Sequence, residues 1–192
     1  VFTSGATESN SLLLLSVLDR ARLAPDRRPL VVVSGIEHAS VHDQAQRLAA
    51  LGAACRAVNA GPDGRVRPRD VAAAVDRDTA IVSVMLVNNE TGVVQPVAEI
   101  AAAVRRAAGR RRVIVHTDAV QALGKLPFAP GALDVDAASV SAHKIGGPRG
   151  IGALWLRAGT SLPVASAGGG QERGMRTGTE NVAGAAGGAA AA

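Results

Sequence analysis

This sequence has few side chains that could act as a reactive amine, because only two of its 21 basic side chains are lysines, Lys125 and Lys144. A lysine amine can lose its proton and form an imine with a carbonyl carbon, whereas arginine can do neither. Lys144 comes just after Ser141 and His143, at the end of an apolar stretch. Lys125 lies in residues 123–127, LGKLP, without polar neighbours. We therefore predict that Lys144 is the reactive amine and that Lys125 is a solvated loop residue.

Further polar residues stand where apolar stretches end, and Thr7 stands where a glycine-containing turn enters a predicted helix. They are His38, Asn88, Asn89, Glu90, Asp118, Gln121, Ser141, His143 and Lys144. Taken singly, each has a structural explanation: Thr7 as a helix N-cap, His38 as a surface residue at a helix start, and Asp118 as a turn residue. In an α/β sheet, however, ligands bind beyond the carboxyl ends of the strands. Together these residues predict one polar site at that edge.

The chemistry that combines an amine, a carboxylate, hydrogen-bonding amides and an anion site is that of pyridoxal phosphate (PLP). This cofactor needs a lysine for its Schiff base, a carboxylate that keeps the ring nitrogen protonated, and a cradle for the phosphate. The N-terminus of a helix provides such a cradle, because its free N–H groups and its partial positive charge favour anions. The residues themselves therefore predict a PLP site around Lys144.

Competing phosphate and metal signatures are weak. Gly124-Lys125 is followed by leucine and so does not form a P-loop, and the glycine runs at 146–152 and 168–170 lack the strand, helix and acidic residue of a dinucleotide site. The four histidines have neither the H-E-x-x-H spacing nor cysteine pairs beside them. Neither a nucleotide nor a zinc site is expected.

Strands and helices alternate along the chain. Apolar runs predict strands at residues 30–33, 55–58, 80–87, 113–117, 137–141 and 151–156, and helices are predicted at 6–22 (ended by Pro25), at 41–51, in a short segment from Pro68, and at 96–108. This alternation predicts an α/β fold with a mostly parallel sheet and helices on both faces. The glycine- and alanine-rich residues 184–192 are expected to form a weak helix at best.

Composition limits the class of protein further. The 192 residues suffice for about one domain. Aromatic residues make up 2% of a chain that is 47% apolar, so the core must consist of aliphatic side chains and base stacking is excluded. The net charge of +5 comes from dispersed arginines, which predict a solvated surface and no direct nucleic-acid partner. With a single cysteine, no run of about 20 apolar residues and no signal peptide, we expect a cytoplasmic protein without a membrane partner.

Six stretches of the chain resemble successive motifs of the cysteine desulfurases, the group of the class-V aminotransferase family that includes nitrogen-fixation and iron–sulfur assembly enzymes. They are residues 3–10 (TSGATESN), 37–38 (EH), 87–92 (VNNETG), 116–121 (HTDAVQ), 141–144 (SAHK) and 168–179 (GGGQERGMRTGT). The resemblance implies the large domain of a fold-type I PLP-dependent transferase. It would occupy residues 1–183, with 184–192 as a tail.

The resemblance also implies a role for each matching residue. Lys144 corresponds to the lysine that forms the Schiff base, and His38 to the imidazole that stacks on the cofactor ring and moves protons. Asp118 resembles the partner of the ring nitrogen, and Gln121 and Asn89 the contacts of the ring oxygen. The cradle of the phosphate corresponds to Ala6, Thr7, Ser141 and His143, with Ala142 in the same motif; Thr179 resembles a residue that reaches the phosphate of a second subunit, which implies a homodimer.

The activity that the resemblance implies is removal of sulfur from L-cysteine. The products would be alanine and an enzyme persulfide, whose sulfur goes to an iron–sulfur scaffold protein, another sulfur acceptor or thiolated tRNA. The family's nucleophilic cysteine and its substrate-binding arginine lie beyond the last motif, so this chain is expected to be a fragment. Cys55 begins an apolar strand, and we expect it to pack as a small buried side chain instead.

Two alternatives remain open from the residues. One is a related activity, such as that of a selenocysteine lyase or of another class-V aminotransferase. The other is a truncated chain that keeps the fold without catalysis and serves as an interaction or dimerisation module.

Overall fold

The computed structural model describes residues 1–23, 27–160, 162 and 168–192, and of residues 19–23 it describes the backbone only. The strands are β1 (Phe2–Thr3), β2 (Leu30–Ser34), β3 (Ala54–Val58), β4 (Thr79–Ser83), β5 (Ile114–Asp118), β6 (Ala137–Ser141) and β7 (Gly152–Leu156). The α-helices are α1 (Ala6–Leu23), α2 (Ala39–Ala50), α3 (Pro68–Ala74), α4 (Val97–Ala108) and α5 (Val182–Ala191). Single 3-10 turns occur at Ala142–Ile145 and Glu172–Gly174. Pro25, predicted to end the first helix, lies outside the described residues.

The seven strands form one sheet in the order β1-β7-β6-β5-β4-β2-β3. β3, β2, β4, β5 and β6 pair in parallel with one another, and among the described strands β7 runs antiparallel to both β6 and β1. The predicted mostly parallel sheet is therefore confirmed. Parallel pairing brings the carboxyl ends of β2, β4, β5 and β6 to the same edge, and the residues that follow these strands meet there.

Helices cover both faces of the sheet, as predicted. Leu13 and Leu14 of α1 and Leu48 of α2 pack with one set of strand side chains, whereas Ile100 and Val104 of α4 pack with the other set. The two layers alternate along each strand because successive side chains point to opposite faces. Aliphatic residues fill both layers, as the shortage of aromatic residues requires. No described helix is long and apolar enough to cross a lipid bilayer.

The strand predicted at 80–87 is shorter in the structure, where β4 ends at Ser83. The chain beyond it still runs beside β5, since the N–H of Val84 donates to the carbonyl of His116 at 3.1 Å and that of Leu86 to the carbonyl of Asp118 at 2.9 Å. Residues 84–86 remain buried. The apolar run therefore indicates that this segment is buried against β5, not that it forms one continuous strand.

His116 connects the three central strands below the edge where the polar residues meet. It is fully buried on β5, with Nδ1 at 2.8 Å from Ser83 Oγ on β4 and Nε2 at 3.0 Å from Ser139 Oγ on β6. Burial lowers the pKa of His116 to about 3, so the ring is neutral at physiological pH. A neutral imidazole has one donor and one acceptor nitrogen, which matches a hydroxyl on each side.

The expectation that Cys55 is buried is wrong. Cys55 is exposed on β3, which forms the end of the sheet and pairs only with β2. An edge strand has a neighbouring strand on one side only, and residues 55–57 of this one are exposed. An apolar run in the sequence does not indicate the position of its strand in the sheet.

The glycine- and alanine-rich end of the chain forms α5, which begins at Val182 and so starts before the tail assigned to 184–192. The Asn181 side chain caps this helix, since its Oδ1 accepts from the N–H of Gly184 at 2.9 Å. Gly187 approaches the loop after the Ala142–Ile145 turn so closely that a Cβ would lie 2.8 Å from Pro148 Cγ. A helix expected to be weak is thus packed against the segment that carries Lys144.

Candidate active site

A cavity of about 700 Å³ lies at the edge where the parallel strands end. Its walls contain nine of the eleven residues that the sequence assigned to the cofactor: Ala6, Thr7, His38, Asn89, Asp118, Gln121, Ser141, His143 and Lys144. Ala142 is buried behind the cavity wall, and Thr179 lies in a separate small cavity of about 60 Å³. The cavity volume is in the range of small-molecule and cofactor sites.

Lys144 lies in the 3-10 turn Ala142–Ile145, directly after β6. The turn ends at Gly146, whose φ of +83° is a left-handed conformation that glycine adopts without strain. The Lys144 amine is exposed to the cavity, and within the described residues it has no hydrogen-bond or ion-pair partner. It is therefore available to a carbonyl compound in the cavity.

The start of α1 forms one wall of the cavity, with Ala6 and Thr7 in the first turn. The first N–H groups of a helix have no partner within it and attract anions. Across from them, Ser141 Oγ and His143 Nδ1 lie 2.8 Å apart. Gly152 on β7 makes this arrangement possible, because a Cβ there would lie 2.7 Å from the backbone of Gly5.

Asp118 ends β5 and is 5% exposed. Its Oδ2 accepts from Asn10 Nδ2 at 2.9 Å, and its Oδ1 accepts from the N–H of Val120 at 3.0 Å. Burial raises the pKa of the Asp118 carboxyl, and the two donors oppose that shift. Asn10 itself was not predicted as a site residue, since its sequence position shows only a polar residue in the first helix.

His38 is the N-cap of α2, where its Nδ1 accepts from the N–H of Ser40 at 3.1 Å. The hydroxyl of Ser40 lies 2.9 Å from the same nitrogen and accepts from Asn10 Nδ2 at 2.9 Å. His38 can therefore cap the start of α2 and also act in the site, because its Nδ1 makes the cap and its Nε2 remains available to the cavity.

Glu37 is a buried carboxyl that the sequence motif contained but to which no role was assigned. Its Oε1 accepts from Ser34 Oγ and, at 2.7 Å, from the N–H of Met85, and its Oε2 is buried without a hydrogen-bond partner in the described structure. Burial raises the pKa of Glu37 to about 8, and the nearby charge of Asp118 adds to this effect. The carboxyl therefore holds a proton at neutral pH.

Gln121 has a polar neighbour that the sequence did not indicate. Its Oε1 accepts a hydrogen bond from Lys125 Nζ. Lys125 is exposed, as predicted, but the expectation that it has no polar company is wrong. The helical turn after β5 places the two side chains four residues apart on the same side.

Of the polar residues predicted after β4, only Asn89 lines the cavity. Asn88 is buried and shapes the loop: its Nδ2 donates to the carbonyl of Ile36 at 3.0 Å, and its Oδ1 accepts from the N–H of Thr91 at 2.9 Å. Arg149 also lines the cavity and was not predicted. It follows the Lys144 turn in a loop with no regular pattern, which carries little sequence signal.

The chain is similar to known proteins over nearly its whole length. The sequence profile of the family described as aminotransferase class-V matches residues 1–192. The chain is 44% identical over 189 residues to the cysteine desulfurase IscS of Anaeromyxobacter dehalogenans, an alignment that covers 97% of this chain and 45% of that protein.

Solved structures show the same similarity in three dimensions. A NifS-like protein matches with a TM-score of 0.91 and 40% identity over 100% of this chain and 51% of its own. SspA, solved in complex with cysteine, matches with a TM-score of 0.90 and 33% identity over 100% of this chain and 54% of its own. The chain thus spans about half the length of these relatives.

Proposed function

The chain belongs to the class-V aminotransferase family, and on that premise we propose that it forms the cofactor-binding part of a PLP-dependent cysteine desulfurase. One observation carries the proposal: the amine of Lys144, which has no partner among the described residues, shares a cavity with the buried carboxyl of Asp118. The relatives named cysteine desulfurase and the structure of SspA with cysteine support L-cysteine as the substrate.

The residues in the cavity fit PLP by their chemistry. Lys144 would bind the aldehyde carbon of the cofactor, and Asp118 would face the ring nitrogen. The N-terminus of α1, with Ser141 and His143, would hold the phosphate, because it combines free N–H groups with polar side chains. Gln121 and Asn89, which line the same cavity, would contact the ring oxygen.

When bound, PLP supplies an electron sink for the electron pair that a substrate carbon keeps on losing a proton. The chain's own residues direct this chemistry. The Asp118 carboxylate would keep a proton on the ring nitrogen, Lys144 Nζ would take the proton from the Cα atom of the substrate, and His38 Nε2 would hold or pass on a proton. In the overall reaction a cysteine thiol of the enzyme takes the substrate sulfur, so that cysteine becomes alanine and the thiol becomes a persulfide.

We do not assign the thiol to Cys55. It lies on the edge strand β3 and is not part of the cavity wall. Although Cys55 is exposed, neighbouring atoms partly desolvate its thiol and raise its pKa, which disfavours the reactive thiolate. The proposed nucleophile is a cysteine outside this segment. The sulfur acceptor is proposed to be an iron–sulfur scaffold protein or a tRNA-thiolating protein.

Borohydride reduction of the full-length protein with PLP, followed by peptide mapping, tests the proposal. We expect a phosphopyridoxyl group on Lys144, none in the Lys144→Ala variant, and unchanged labelling of Lys144 in the Lys125→Ala control. Alanine release from L-cysteine should disappear in Lys144→Ala and persist in Lys125→Ala. A label at Lys125 or no label at all would contradict the proposal, and release of alanine from selenocysteine alone would indicate a selenocysteine lyase.

A further inference from the structure

Asn10 is a fully buried side chain on α1 that touches two residues of the proposed site. Its Nδ2 donates to Asp118 Oδ2 on β5 at 2.9 Å and to Ser40 Oγ on α2 at 2.9 Å. The two hydrogens of one amide nitrogen are therefore used in two different directions. Three elements that are far apart in the sequence meet at this nitrogen.

The carbonyl oxygen of the same amide makes no hydrogen bond with the described residues. Asn10 Oδ1 is buried and has no hydrogen-bond partner in the described structure. A buried acceptor without a donor destabilises the folded state, so an apolar side chain of the same size would suit the packing better. The two N–H bonds are the interactions that favour asparagine at this position.

The bond to Asp118 fixes the orientation of its carboxylate. The N–H of Val120 donates to Oδ1 at 3.0 Å, and Asn10 Nδ2 donates to Oδ2 at 2.9 Å. With one donor on each oxygen the carboxylate cannot rotate about its last bond without losing a hydrogen bond. Both donors also favour the charged carboxylate against the effect of burial on its pKa.

The contacts with Ser40 favour one tautomer of a neutral His38 ring. Because Ser40 Oγ accepts from Asn10, its own hydrogen is free to donate to His38 Nδ1, which lies 2.9 Å away and also accepts the N–H of Ser40 at 3.1 Å. A nitrogen that accepts two donors carries no proton. The neutral His38 ring therefore has its proton on Nε2.

We propose that Asn10 is a positioning residue for the cofactor reaction: through one amide nitrogen it orients the Asp118 carboxylate toward the ring nitrogen and, by way of Ser40, holds His38 in its Nε2–H form. This inference rests on the proposed function. It adds to it a residue on α1 that touches neither cofactor nor substrate, since Asn10 is absent from the cavity wall.

The test compares two compounds that differ only at the atom Asp118 would contact: PLP and 1-deaza-pyridoxal phosphate, which has a carbon in place of the ring nitrogen. Dissociation constants are measured by fluorescence on the full-length protein freed of cofactor. We expect Asn10→Leu to bind PLP about tenfold more weakly, as for loss of a hydrogen bond to a charged group, and the deaza compound almost unchanged. A change in packing alone would weaken both compounds equally.

Three further variants complete the experiment. Ser40→Ala removes one of the two anchors of the amide and should weaken PLP binding about threefold without affecting the deaza compound. Ser40→Thr keeps the hydroxyl and should restore binding. Ser16→Ala is the matched control, because Ser16 is also buried on α1 but bonds only to the carbonyl of Leu13. It should leave both constants unchanged.

The outcomes distinguish failure of the inference about Asn10 from failure of the proposed PLP-dependent function. If Asn10→Leu and Ser40→Ala keep the wild-type preference for PLP over the deaza compound, or lose both compounds equally, Asn10 does not act through Asp118. If the wild type itself binds the two compounds equally, Asp118 does not contact the ring nitrogen and this inference is wrong. If the wild type binds neither compound, the proposed function fails, and the inference with it.

Discussion

Asp118 and Glu37 are two carboxyl groups buried at the same edge of the sheet, and their hydrogen bonds are arranged differently. Asp118 has a donor on each oxygen, which favours the anion. Glu37 has both donors on Oε1 and none on Oε2, and burial raises its pKa to about 8. Burial raises the pKa of both carboxyls, and the nearby Asp118 raises that of Glu37 further, which favours the neutral form of Glu37.

Glu37 should therefore make the stability of the protein depend on pH. In the unfolded chain its pKa is near the ordinary 4.5, so between about pH 4.5 and 8 the folded state holds a proton that the unfolded state has released. The free energy of unfolding falls as pH rises through this window, by about 1.4 kcal/mol per pH unit from this group. Glu37→Gln keeps an oxygen acceptor and the size of the side chain but cannot ionise.

We expect Glu37→Gln to be similar to the wild type in stability near pH 5 and more stable near pH 8, measured by urea unfolding across this range. Parallel curves for the two proteins would show that Glu37 is already ionised when folded. Asp43→Asn is a suitable control, because Asp43 is an exposed carboxyl on α2 and should leave the pH dependence unchanged.

At the scale of elements, the site depends on how closely β7 approaches the start of α1. A Cβ on Gly152 would lie 2.7 Å from both Gly5 Cα and Gly5 C and 2.8 Å from the carbonyl oxygen of Val140. All three contacts are with backbone, which cannot move aside as a flexible side chain can. The turn at Gly5 leads into the helix N-terminus proposed to hold the phosphate.

Gly152→Ala should therefore destabilise the protein by about 3 kcal/mol and displace the start of α1. We expect a lower melting temperature and weaker binding of PLP. Gly131→Ala is the matched control, since a Cβ there meets no atom within 4 Å, and its melting temperature should not fall. If both variants are equally stable, the close approach at Gly152 does not constrain the fold.

Cys55 and Lys125 show which properties of a structural element could not be predicted from the sequence. The apolar run around Cys55 predicted β3 correctly, but its exposure follows from the position of β3 at the end of the sheet. The bond from Lys125 to Gln121 follows from a helical turn after β5 that no periodic pattern marks. Strand formation is a local property, whereas edge position and side-chain neighbours depend on how the elements assemble.

At the scale of the whole molecule, Thr179 is a predicted cofactor residue that lies outside the main cavity. It is exposed in a small cavity beside Phe2 and Ser4 rather than in the main cavity. That Thr179 contacts the phosphate held by a second copy of the chain is implied by the family resemblance and stays a prediction. A homodimer would then have two sites, each with Lys144 from one subunit and Thr179 from the other.

Mixed dimers test this arrangement. Lys144→Ala and Thr179→Ala are each expected to desulfurise cysteine poorly as homodimers. In a dimer of one Lys144→Ala and one Thr179→Ala subunit, one site combines both substitutions and the other contains neither. Unfolding and refolding a mixture of the two proteins should therefore restore activity in the mixed dimer to about half the wild-type value per dimer. If mixing restores no activity, Thr179 does not act across subunits.

The sequence alone was sufficient to predict the alternating α/β order, the mostly parallel sheet and nine of the residues that line the cavity. Most of these features have local signals, since apolar runs form strands and polar residues after parallel strands lie at the binding edge, whereas Ala6 was assigned only by the family resemblance. Asn10 and Glu37 have no such signal. Asn10 is 108 residues from Asp118 in the chain, and its bond exists only because folding brings this residue of α1 next to the end of β5.

The sequence thus determined which residue types could do chemistry and at which edge of the sheet they would lie. The tertiary structure decided how each group is held: which oxygen of Asp118 receives which donor, which nitrogen of His38 is left for a proton, and which buried carboxyl stays neutral. The physical reason is that the two kinds of feature depend on interactions at different separations along the chain. Strand and helix formation depend on neighbours along the chain, whereas hydrogen-bond orientation and the pKa of a buried group depend on atoms that only folding brings within about 3 Å.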